Sequence, residues 1–331
     1  MTVTIKDIAR EAGVSFSTVS SVLRSPNFEG GKASAKTRAK IIEVARSMNY
    51  HPSYFGRGLR TGKSCLIAFL CSSMDAAVIM EAMMGVESVC NCYGYSMLVG
   101  TFDSPENLRK QFEYFIRKRV DGVLVPHRIE AEYKAVFDEF ARKMPMVSLF
   151  GASDPGQHCV YVNPANIGVI AAEYLLELGH RKILVTGNRI ESCETFCRSI
   201  IAAGIPPENL LHWPEYVSFE HGKEVVKRLI SLGMPVTAVF ANSDLHAAGI
   251  LQQALLSGIA IPEDLSVLGV NNESMCSKLA PPLSTIAQPM REQGERAMET
   301  LLNLIDGTPA PESIVLQPYL KARSSCSAVR Q

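Results

Sequence analysis

The chain has 331 residues, 47% of them hydrophobic and 20% charged, and its formal net charge is zero. Its length allows two or three domains with buried cores. No apolar run approaches the ~18 residues of a membrane span, and the first residues lack the apolar stretch of a secretion signal, so we expect a cytoplasmic protein without a membrane partner.

The neutral total conceals an uneven distribution of charge. Residues 1–62 contain ten basic and four acidic side chains, a net charge of +6, which leaves twenty-three basic and twenty-nine acidic side chains, a net charge of −6, in the remainder. A basic N-terminal segment joined to an acidic body predicts that this segment alone contacts nucleic-acid phosphates.

The first fifty residues show the apolar spacing of short helices. One helix is predicted to begin after Thr4, a capping residue, and to end at Gly13. A tight turn follows, since glycine tolerates a left-handed backbone and Ser15 can cap the next helix. A later helix is predicted from its cap, Ser34, to about Met48. The arrangement is typical of a helix-turn-helix DNA reader.

The second helix, which begins at Phe16, is the one predicted to enter the major groove. Val19 and Val22 are expected to point inward, which leaves Phe16, Ser17 and Ser21 on the outer surface. A phenylalanine there favours contact with a thymine methyl group, whereas serine can donate or accept a hydrogen bond. We therefore expect these three side chains to contact base edges.

A segment containing proline and glycine, residues 49–64, indicates a hinge. Beyond it, apolar runs alternate with amphipathic stretches, which predicts parallel sheets covered on both faces, and the number of elements predicts two similar lobes. The chain is expected to change lobe near 160–164, 288–290 and 317–321. The predicted strands lie at 65–71, 95–99, 121–126, 144–150, 182–187, 237–242 and 265–270, and the predicted helices at 106–118, 131–142, 167–178, 222–232 and 247–256.

No catalytic or metal-binding pattern emerges from the sequence. The run GRGLRTGKS at 56–64 ends like a phosphate-binding loop, but Arg57 stands where a glycine is required and the segment precedes a strand. The histidines form no metal-binding pair, no nucleophile elbow is present, and Cys90 with Cys92 has no second pair. We therefore expect no enzyme activity, no cofactor, no metal, and reduced cysteines in the core.

The N-terminal runs TIKDIAREAGVSFSTVSSVL and KTRAKIIEVARSMNYHPS resemble the head of the LacI/GalR family of transcriptional regulators. Similar phrases of the family's sensor domain follow: GHRKI at 179–183, TAVFANSD at 237–244, IPEDLSVLG at 261–269 and PPLSTIAQP at 281–289. The resemblance covers essentially the whole chain. It implies an N-terminal all-α helix-turn-helix head and a C-terminal α/β two-lobed domain like the periplasmic binding proteins, with two doubly wound parallel sheets.

The resemblance, carried over by position, implies that Ser15, Thr18 and Ser20 bind phosphate or stabilise the turn. It also implies a DNA contact from the hinge. In the family the hinge folds on DNA and a leucine, here Leu59, wedges into the minor groove. Gly56 and Gly58 stand where the family has alanine and serine, and each costs about 0.8–1.0 kcal/mol in a helix. The full set of implied DNA contacts is Thr4, Ser15, Phe16, Ser17, Thr18, Ser20, Ser21, Arg38 and Leu59.

The resemblance also implies a small-molecule site between the lobes. Asn271 stands where the family has an aspartate, and an amide offers donors as well as an acceptor where a carboxylate only accepts. We therefore expect the effector to be a sugar or related polar metabolite. Its hydrogen-bonding groups should suit an amide at this position instead of a carboxylate. The resemblance assigns Arg198 and Asn271 to this site, and further candidates for the pocket are Ser73, Asn166, Ser243 and Asp244.

These expectations describe a repressor that binds a palindromic operator in double-stranded DNA as a homodimer and responds to a carbohydrate-like effector. The alternatives are an orphan regulator whose pocket no longer responds, a solute-binding protein with the same lobes, and an enzyme with a DNA-binding appendage. The expected division is a DNA-binding domain at 1–52, a hinge at 53–64 and an effector domain at 65–331. Within the last, lobe 1 takes about 65–161 and 290–318, and lobe 2 about 162–289 and 319–331.

Overall fold

The computed structural model describes residues 3–24, 33–50, 62–72, 77–126, 131–150, 157–188 and 190–329. The chain divides into an N-terminal unit, Met1–Cys65, and a C-terminal unit, Leu66–Gln331. Leu59, in the predicted hinge, and Ser73 lie outside the described residues. Within the described ranges, no helix is both long and apolar enough to cross a membrane.

The N-terminal unit is a small helical domain. Its helices are α1 (Ile5–Ala12), α2 (Phe16–Arg24) and α3 (Ala35–Ser47). One fully buried aliphatic side chain from each helix, Ile8, Val19 and Ile41, meets in a shared core. The amphipathic spacing of each helix therefore closes one core without any strand among the described residues.

The C-terminal unit alternates strands and helices along the chain. Its strands are β1 (Leu66–Cys71), β2 (Ser96–Thr101), β3 (Gly122–Val125), β4 (Met146–Ser148), β5 (His158–Val162), β6 (Ile183–Thr186), β7 (Leu210–Trp213), β8 (Ala238–Ala241), β9 (Ser266–Asn271), β10 (Ser284–Ala287), β11 (Ser313–Leu316) and β12 (Tyr319–Lys321). Its helices are α4 (Ala77–Tyr93), α5 (Pro105–Lys118), α6 (Ala131–Ala141), α7 (Pro164–Glu177), α8 (Glu191–Ala202), α9 (Phe219–Ser231), α10 (Asp244–Leu256) and α11 (Met290–Asp306).

Two six-stranded sheets define the two lobes. Lobe 1 contains the sheet β11-β5-β4-β3-β1-β2, and lobe 2 the sheet β12-β10-β9-β8-β6-β7. In the centre of the second sheet, Phe240 aligns with Val185 on one side and with Leu268 on the other. The run of fully buried residues in these strands is typical of parallel sheets with helices on both faces. The predicted fold class is confirmed.

One edge strand departs from the predicted parallel arrangement. Every neighbouring pair in the first sheet is parallel, whereas β12 pairs antiparallel with β10, for example Ile286 with Leu320. Only Gln317 and Pro318 separate β11 in lobe 1 from β12 in lobe 2. An antiparallel edge strand on an otherwise parallel sheet is common in α/β folds.

The chain passes between the lobes at three places. It leaves lobe 1 between β5 and α7, returns between β10 and α11, and leaves again between β11 and β12. At the first of these, Asn163 caps α7 by accepting a hydrogen bond from the Ala165 amide at 2.9 Å, and Pro164 occupies the first turn. Helices α4 and α11 cover one face of the lobe 1 sheet, and α5 and α6 cover the other.

Close helix packing explains two glycines in lobe 1. A Cβ atom built on Gly294 of α11 would overlap the Ala82 carbonyl of α4, and one built on Gly85 of α4 would overlap the Arg291 carbonyl of α11. Both clashes are with backbone, which cannot swing aside as a side chain can. The two helices therefore depend on glycine for their separation.

The nine cysteines are free thiols, and seven of them are buried. Burial raises the pKa of Cys90 to about 11, whereas Cys92 is exposed. The two side chains thus lie in different environments, which argues against a shared metal. In the described part of the chain no group of histidine, cysteine, aspartate and glutamate side chains is arranged to hold a metal ion.

Candidate functional site

The turn between α1 and α2 fixes the orientation of the second helix. Gly13 ends α1 with a φ of 67°, in the left-handed region where glycine is unstrained. Ser15 Oγ accepts a hydrogen bond from the Thr18 amide at 3.2 Å and so caps α2. At the other end of α1, the amide and the hydroxyl of Thr4 both donate to Asp7 Oδ2, at 3.0 and 2.7 Å. These bonds hold the pKa of the Asp7 carboxyl below its usual range.

Helix α2 presents one face to the core and the other to solvent. Val19 and Val22 are buried against α1 and α3. Phe16 is 53% exposed, and Ser17 and Ser21 are exposed beside it. The three side chains predicted to contact base edges therefore share an accessible surface.

The other predicted DNA contacts surround this surface. Ser15 Oγ lies 2.8 Å from Ser17 Oγ and 2.8 Å from Thr18 Oγ1, so three hydroxyls form a cluster at the start of α2. Hydroxyls and helix N-termini commonly hold DNA phosphates. Of the remaining predicted contacts, Thr4 is exposed and Ser20 and Arg38 are partly exposed.

Polar side chains also follow the central strands of lobe 2. Ser243 comes two residues after β8, and Asn271 ends β9, the neighbouring strand. Ser243 is buried and caps α10 by accepting a hydrogen bond from the Leu245 amide at 3.2 Å. Ligands of open α/β sheets bind beyond the carboxyl ends of the strands. The two residues therefore lie at the edge where a ligand is expected.

Asp244 holds the loop that carries Asn271. Its side chain is completely buried, and its carboxylate accepts hydrogen bonds from the Glu273 amide at 2.8 Å and from Thr285 Oγ1 at 2.6 Å. Burial raises the pKa of this carboxyl, and burial together with the Asp244 charge raises the pKa of Glu273. Both oxygens of Asp244 thus serve the protein interior, so its contribution to a ligand site is to position the loop.

The loop itself has an unusual backbone. Asn271 and Asn272 have φ angles of 115° and 59°, and asparagine is among the few non-glycine residues that enter this region. The Gln288 amide donates to Asn271 Oδ1 at 2.7 Å, and Arg323 Nη2 donates to Asn272 Oδ1 at 2.6 Å. Strained backbone persists where the surroundings hold it in place, and such positions cluster at functional sites.

The last two predicted effector contacts lie on helices. Arg198 is exposed on α8, and its Nη2 donates to Thr195 Oγ1 at 2.8 Å, one turn nearer the start of the helix. Asn166, in the first turn of α7, donates from Nδ2 to Gln317 Oε1 at 2.9 Å. That bond joins the first and third passages of the chain between the lobes.

The structure adds polar residues that sequence reasoning missed. Asn242 directly follows β8, and its Oδ1 accepts a hydrogen bond from Ser192 Oγ at 2.9 Å. The rule that ligands bind beyond strand ends could have indicated Asn242 from the sequence. Nothing in the sequence indicates Ser192 or Gln288, which reach this edge through the packing of α8 and through the second passage between the lobes.

Comparison with known proteins matches both parts of the chain. Residues 4–53 match the bacterial regulatory proteins of the lacI family, and residues 172–326 match the periplasmic binding protein-like domain. The chain is 32% identical to the HTH-type transcriptional regulator DegA of Bacillus subtilis and 31% identical to the ribose operon repressor of Haemophilus influenzae, covering 99% of this chain and 99% of the relative in each case.

The fold is also shared with a solved structure, the lac repressor dimer bound to operator and the anti-inducer ONPF. The TM-score is 0.81 at 23% sequence identity, and the match covers 99% of this chain and 100% of that one. The match extends over both units, so the two proteins share the combination of a helix-turn-helix unit with two α/β lobes.

Proposed function

This chain belongs to the LacI family of bacterial regulatory proteins. From that premise we propose that it is a repressor whose affinity for operator DNA depends on a ligand bound between its lobes. Members of this family are DNA-binding transcriptional regulators and not enzymes. The observation that carries the proposal is the presence in one chain of an exposed reading surface on α2 and a polar strand edge in lobe 2.

In the proposed DNA complex, Phe16, Ser17 and Ser21 contact base edges. Ser15, Thr18, Ser20, Thr4 and Arg38 hold phosphates around them, and Leu59 enters the minor groove at the operator centre. The exposed fraction of Phe16 and the hydroxyl cluster at the start of α2 support this assignment. Positive charge concentrated in residues 1–62 supplies the nonspecific attraction.

The proposed effector is a sugar or sugar derivative. Arg198, Ser243 and Asn271 surround it from lobe 2, Asn166 and Ser73 contribute near lobe 1, and Asp244 positions the Asn271 loop. Asn242 and Gln288 join this set because they share its strand edge. Amides and hydroxyls suit a neutral polyol, which offers both donors and acceptors. The similarity to a ribose operon repressor supports a pentose as the first candidate.

The proposed assembly is a homodimer on a palindromic operator. Helix α4 leaves Met80 and Met84, one helical turn apart, exposed at 40% and 45%, and β2 is an edge strand that exposes Val99. An apolar helix face beside an unpaired strand edge is a surface that a second copy covers well. Two-fold symmetry of the protein then matches that of the operator.

We place the domain boundaries at 1–52 for the DNA-binding domain, 53–64 for the hinge and 65–331 for the effector domain. The division of the chain at Cys65 and the distribution of strands between the two sheets support these boundaries. The proposed location is the cytoplasm, where operator DNA lies.

An orphan regulator is the second candidate, and one observation favours it. The cleft amides of Asn271 and Asn166 are already paired with Gln288 and Gln317. A ligand would have to replace these bonds. A pocket satisfied by its own side chains can lose its response to ligand while the DNA-binding unit still functions.

Gel-shift titration of fragments of the source genome, with and without a panel of monosaccharides that includes D-ribose, separates the candidates. A repressor that responds to sugar binds one set of fragments and shifts its affinity with one sugar. An orphan regulator binds the same fragments with the same affinity under all conditions. Absence of sequence-specific binding to any fragment would contradict both.

A further inference from the structure

Lobe 1 contains a cavity of about 450 Å³ that no part of the proposed function uses. It is lined by the end of α6 and the segment that follows it, by residues of β3, β4 and β5, and by Leu304 of α11, so every described residue that lines it belongs to lobe 1. The residues proposed to hold the effector do not line it. A volume of this size lies within the range of small-molecule sites.

The rim of the cavity carries positive charge. Lys143 is paired, because its Nζ lies 2.8 Å from Glu139 Oε1 and 4.5 Å from the centre of the Phe140 ring. Arg142 also lines the cavity, is exposed, and makes no ion pair or hydrogen bond among the described residues. A guanidinium without a partner can bind a carboxylate or a phosphate through two parallel hydrogen bonds.

A buried hydroxyl faces the same space. Ser148 lines the cavity, is only 7% exposed, and makes no side-chain hydrogen bond to another described residue. A serine hydroxyl in a cavity wall can donate a hydrogen bond to a ligand and accept one from it. Nearby, His158 Nδ1 donates to the Pro311 carbonyl at 2.7 Å, which fixes the ring in the cavity wall.

Apolar side chains complete the wall. Val125, Met144, Met146 and Leu304 line the cavity with carbon and sulfur atoms. The cavity thus offers an apolar surface, the Ser148 hydroxyl, and at its rim a cation, Arg142, that is unpaired among the described residues. The lining is therefore mixed, with polar and charged groups beside apolar ones, as an amphipathic ligand requires.

We propose that this cavity binds a small organic anion, a compound in which a compact apolar moiety carries a phosphate or carboxylate group. Arg142 holds the anionic group, Ser148 donates a further hydrogen bond, and the methionines contact the apolar body. The site is separate from the proposed effector cleft, so the protein can receive two chemical signals.

Calorimetric titration of the full chain tests the proposal with phenyl phosphate, phenol and inorganic phosphate as probes. Phenyl phosphate supplies both features, phenol only the apolar body and phosphate only the charge. Phenyl phosphate should bind in a 1:1 ratio with a dissociation constant of about 1 mM or below, and each partial probe should bind more weakly. Arg142→Gln should weaken phenyl phosphate binding about tenfold or more, since hydrogen bonds to charged groups are among the strongest.

Two variants locate the binding. Arg117→Gln removes an exposed arginine of the same lobe that does not line the cavity, and it should leave binding unchanged. Arg198→Gln lies in lobe 2 and should also leave it unchanged. The proposal is overturned if phenyl phosphate does not bind, if phenol binds as tightly, if Arg142→Gln and Arg117→Gln have equal effects, or if Arg198→Gln alone abolishes binding.

Discussion

Thr285 Oγ1 donates a 2.6 Å hydrogen bond to Asp244 Oδ1, and both side chains are fully buried in lobe 2. The bond joins β10 to the start of α10, and Asp244 in turn holds the Glu273 amide. Strand β10 leads directly to Gln288 at the second passage between the lobes. The same buried carboxylate therefore connects the Asn271 loop with a segment that must move if the lobes rotate.

Removal of the Thr285 hydroxyl should destabilise lobe 2. Thr285→Val keeps the side-chain shape but removes the donor to Asp244 Oδ1 and the acceptor of the Asn272 amide, and a buried polar group without a partner costs about 1–3 kcal/mol. Urea unfolding should show a loss of this size in the free energy of unfolding. Thr285→Ser keeps the hydroxyl and is the matched control. Equal losses in the two variants would assign the effect to packing and contradict the role of the bond.

Stability should decrease as the pH falls below 6.5. Burial lowers the pKa of His246 from its ordinary value of 6.5, and the ring is held between Ser218 O at 3.0 Å and Thr186 Oγ1 at 3.2 Å. Below pH 6.5 the unfolded chain binds a proton that the folded chain does not, so the free energy of unfolding falls until the lowered folded-state pKa is reached. Burial lowers the pKa of His180 as well, and its effect has the same sign.

His246→Asn isolates this contribution, because the amide can still donate to Ser218 O but does not titrate. Its unfolding free energy should depend less steeply on pH below 6.5 than that of the wild type. The raised pKa of Asp244 acts in the opposite direction, since that carboxyl stabilises the fold at low pH and the stabilisation is lost as the pH rises above 3.8. Both proteins contain Asp244, so the difference between them reports the histidine. Identical pH profiles would refute the assignment.

Substitutions in the N-terminal unit should separate base reading from phosphate contact. Phe16→Ala removes an exposed ring without disturbing the core, so it should lower operator affinity by about 1–3 kcal/mol and leave the salt dependence unchanged. Arg38→Gln should weaken all DNA sequences similarly and reduce the salt slope by about one. Gel shifts at several salt concentrations measure both quantities. A change of salt slope in Phe16→Ala would contradict the division of roles.

A charge on the exposed face of α4 should disrupt the dimer. Met84 is 45% exposed, and Met84→Arg would place two like charges in a symmetric interface. Sedimentation equilibrium should show a shift to monomer. Operator affinity should fall about a hundredfold or more, because the second DNA-binding domain of the dimer is lost. Ile201→Arg, at a site on α8 that is 47% exposed, is the control. A dimer that survives Met84→Arg but not Ile201→Arg would place the interface elsewhere.

Effector binding should depend on Asn271 and be visible in tryptophan fluorescence. Trp213 is the single tryptophan and ends β7, at the strand edge where the effector is proposed to bind. The Arg228 guanidinium lies 4.0 Å from the ring centre, so movement of this edge should change the emission. With a sugar that shifts the wild-type signal, Asn271→Ala should bind about tenfold more weakly, through the loss of one or two hydrogen bonds. Thr285→Ser, which keeps the loop anchored, should bind normally. Unaltered affinity in Asn271→Ala would remove this residue from the site.

The N-terminal unit was predicted almost completely because its signals are local. Caps and turns are set by residues within one or two helical turns, and the structure places the cap of α1 at Thr4, its end at Gly13 and the cap of α3 at Ser34. The alternation of strands and helices was predicted for the same reason. The run TAVFAN predicted a strand at 237–242, and β8 spans Ala238–Ala241.

The candidate site in lobe 2 needed the tertiary structure. Thr285 lies 41 residues from the carboxylate that it contacts, Arg323 lies 51 residues from Asn272, and Gln317 lies 151 residues from Asn166. No local pattern encodes such pairs, because their distance depends on which strands are neighbours and where the chain passes between lobes. The sequence alone predicted the element types, the exposed face of α2 and the family. Only the folded chain decided that Asp244 faces inward, that Asn271 pairs with Gln288 and Asn166 with Gln317, and that lobe 1 has an open cavity lined by Arg142.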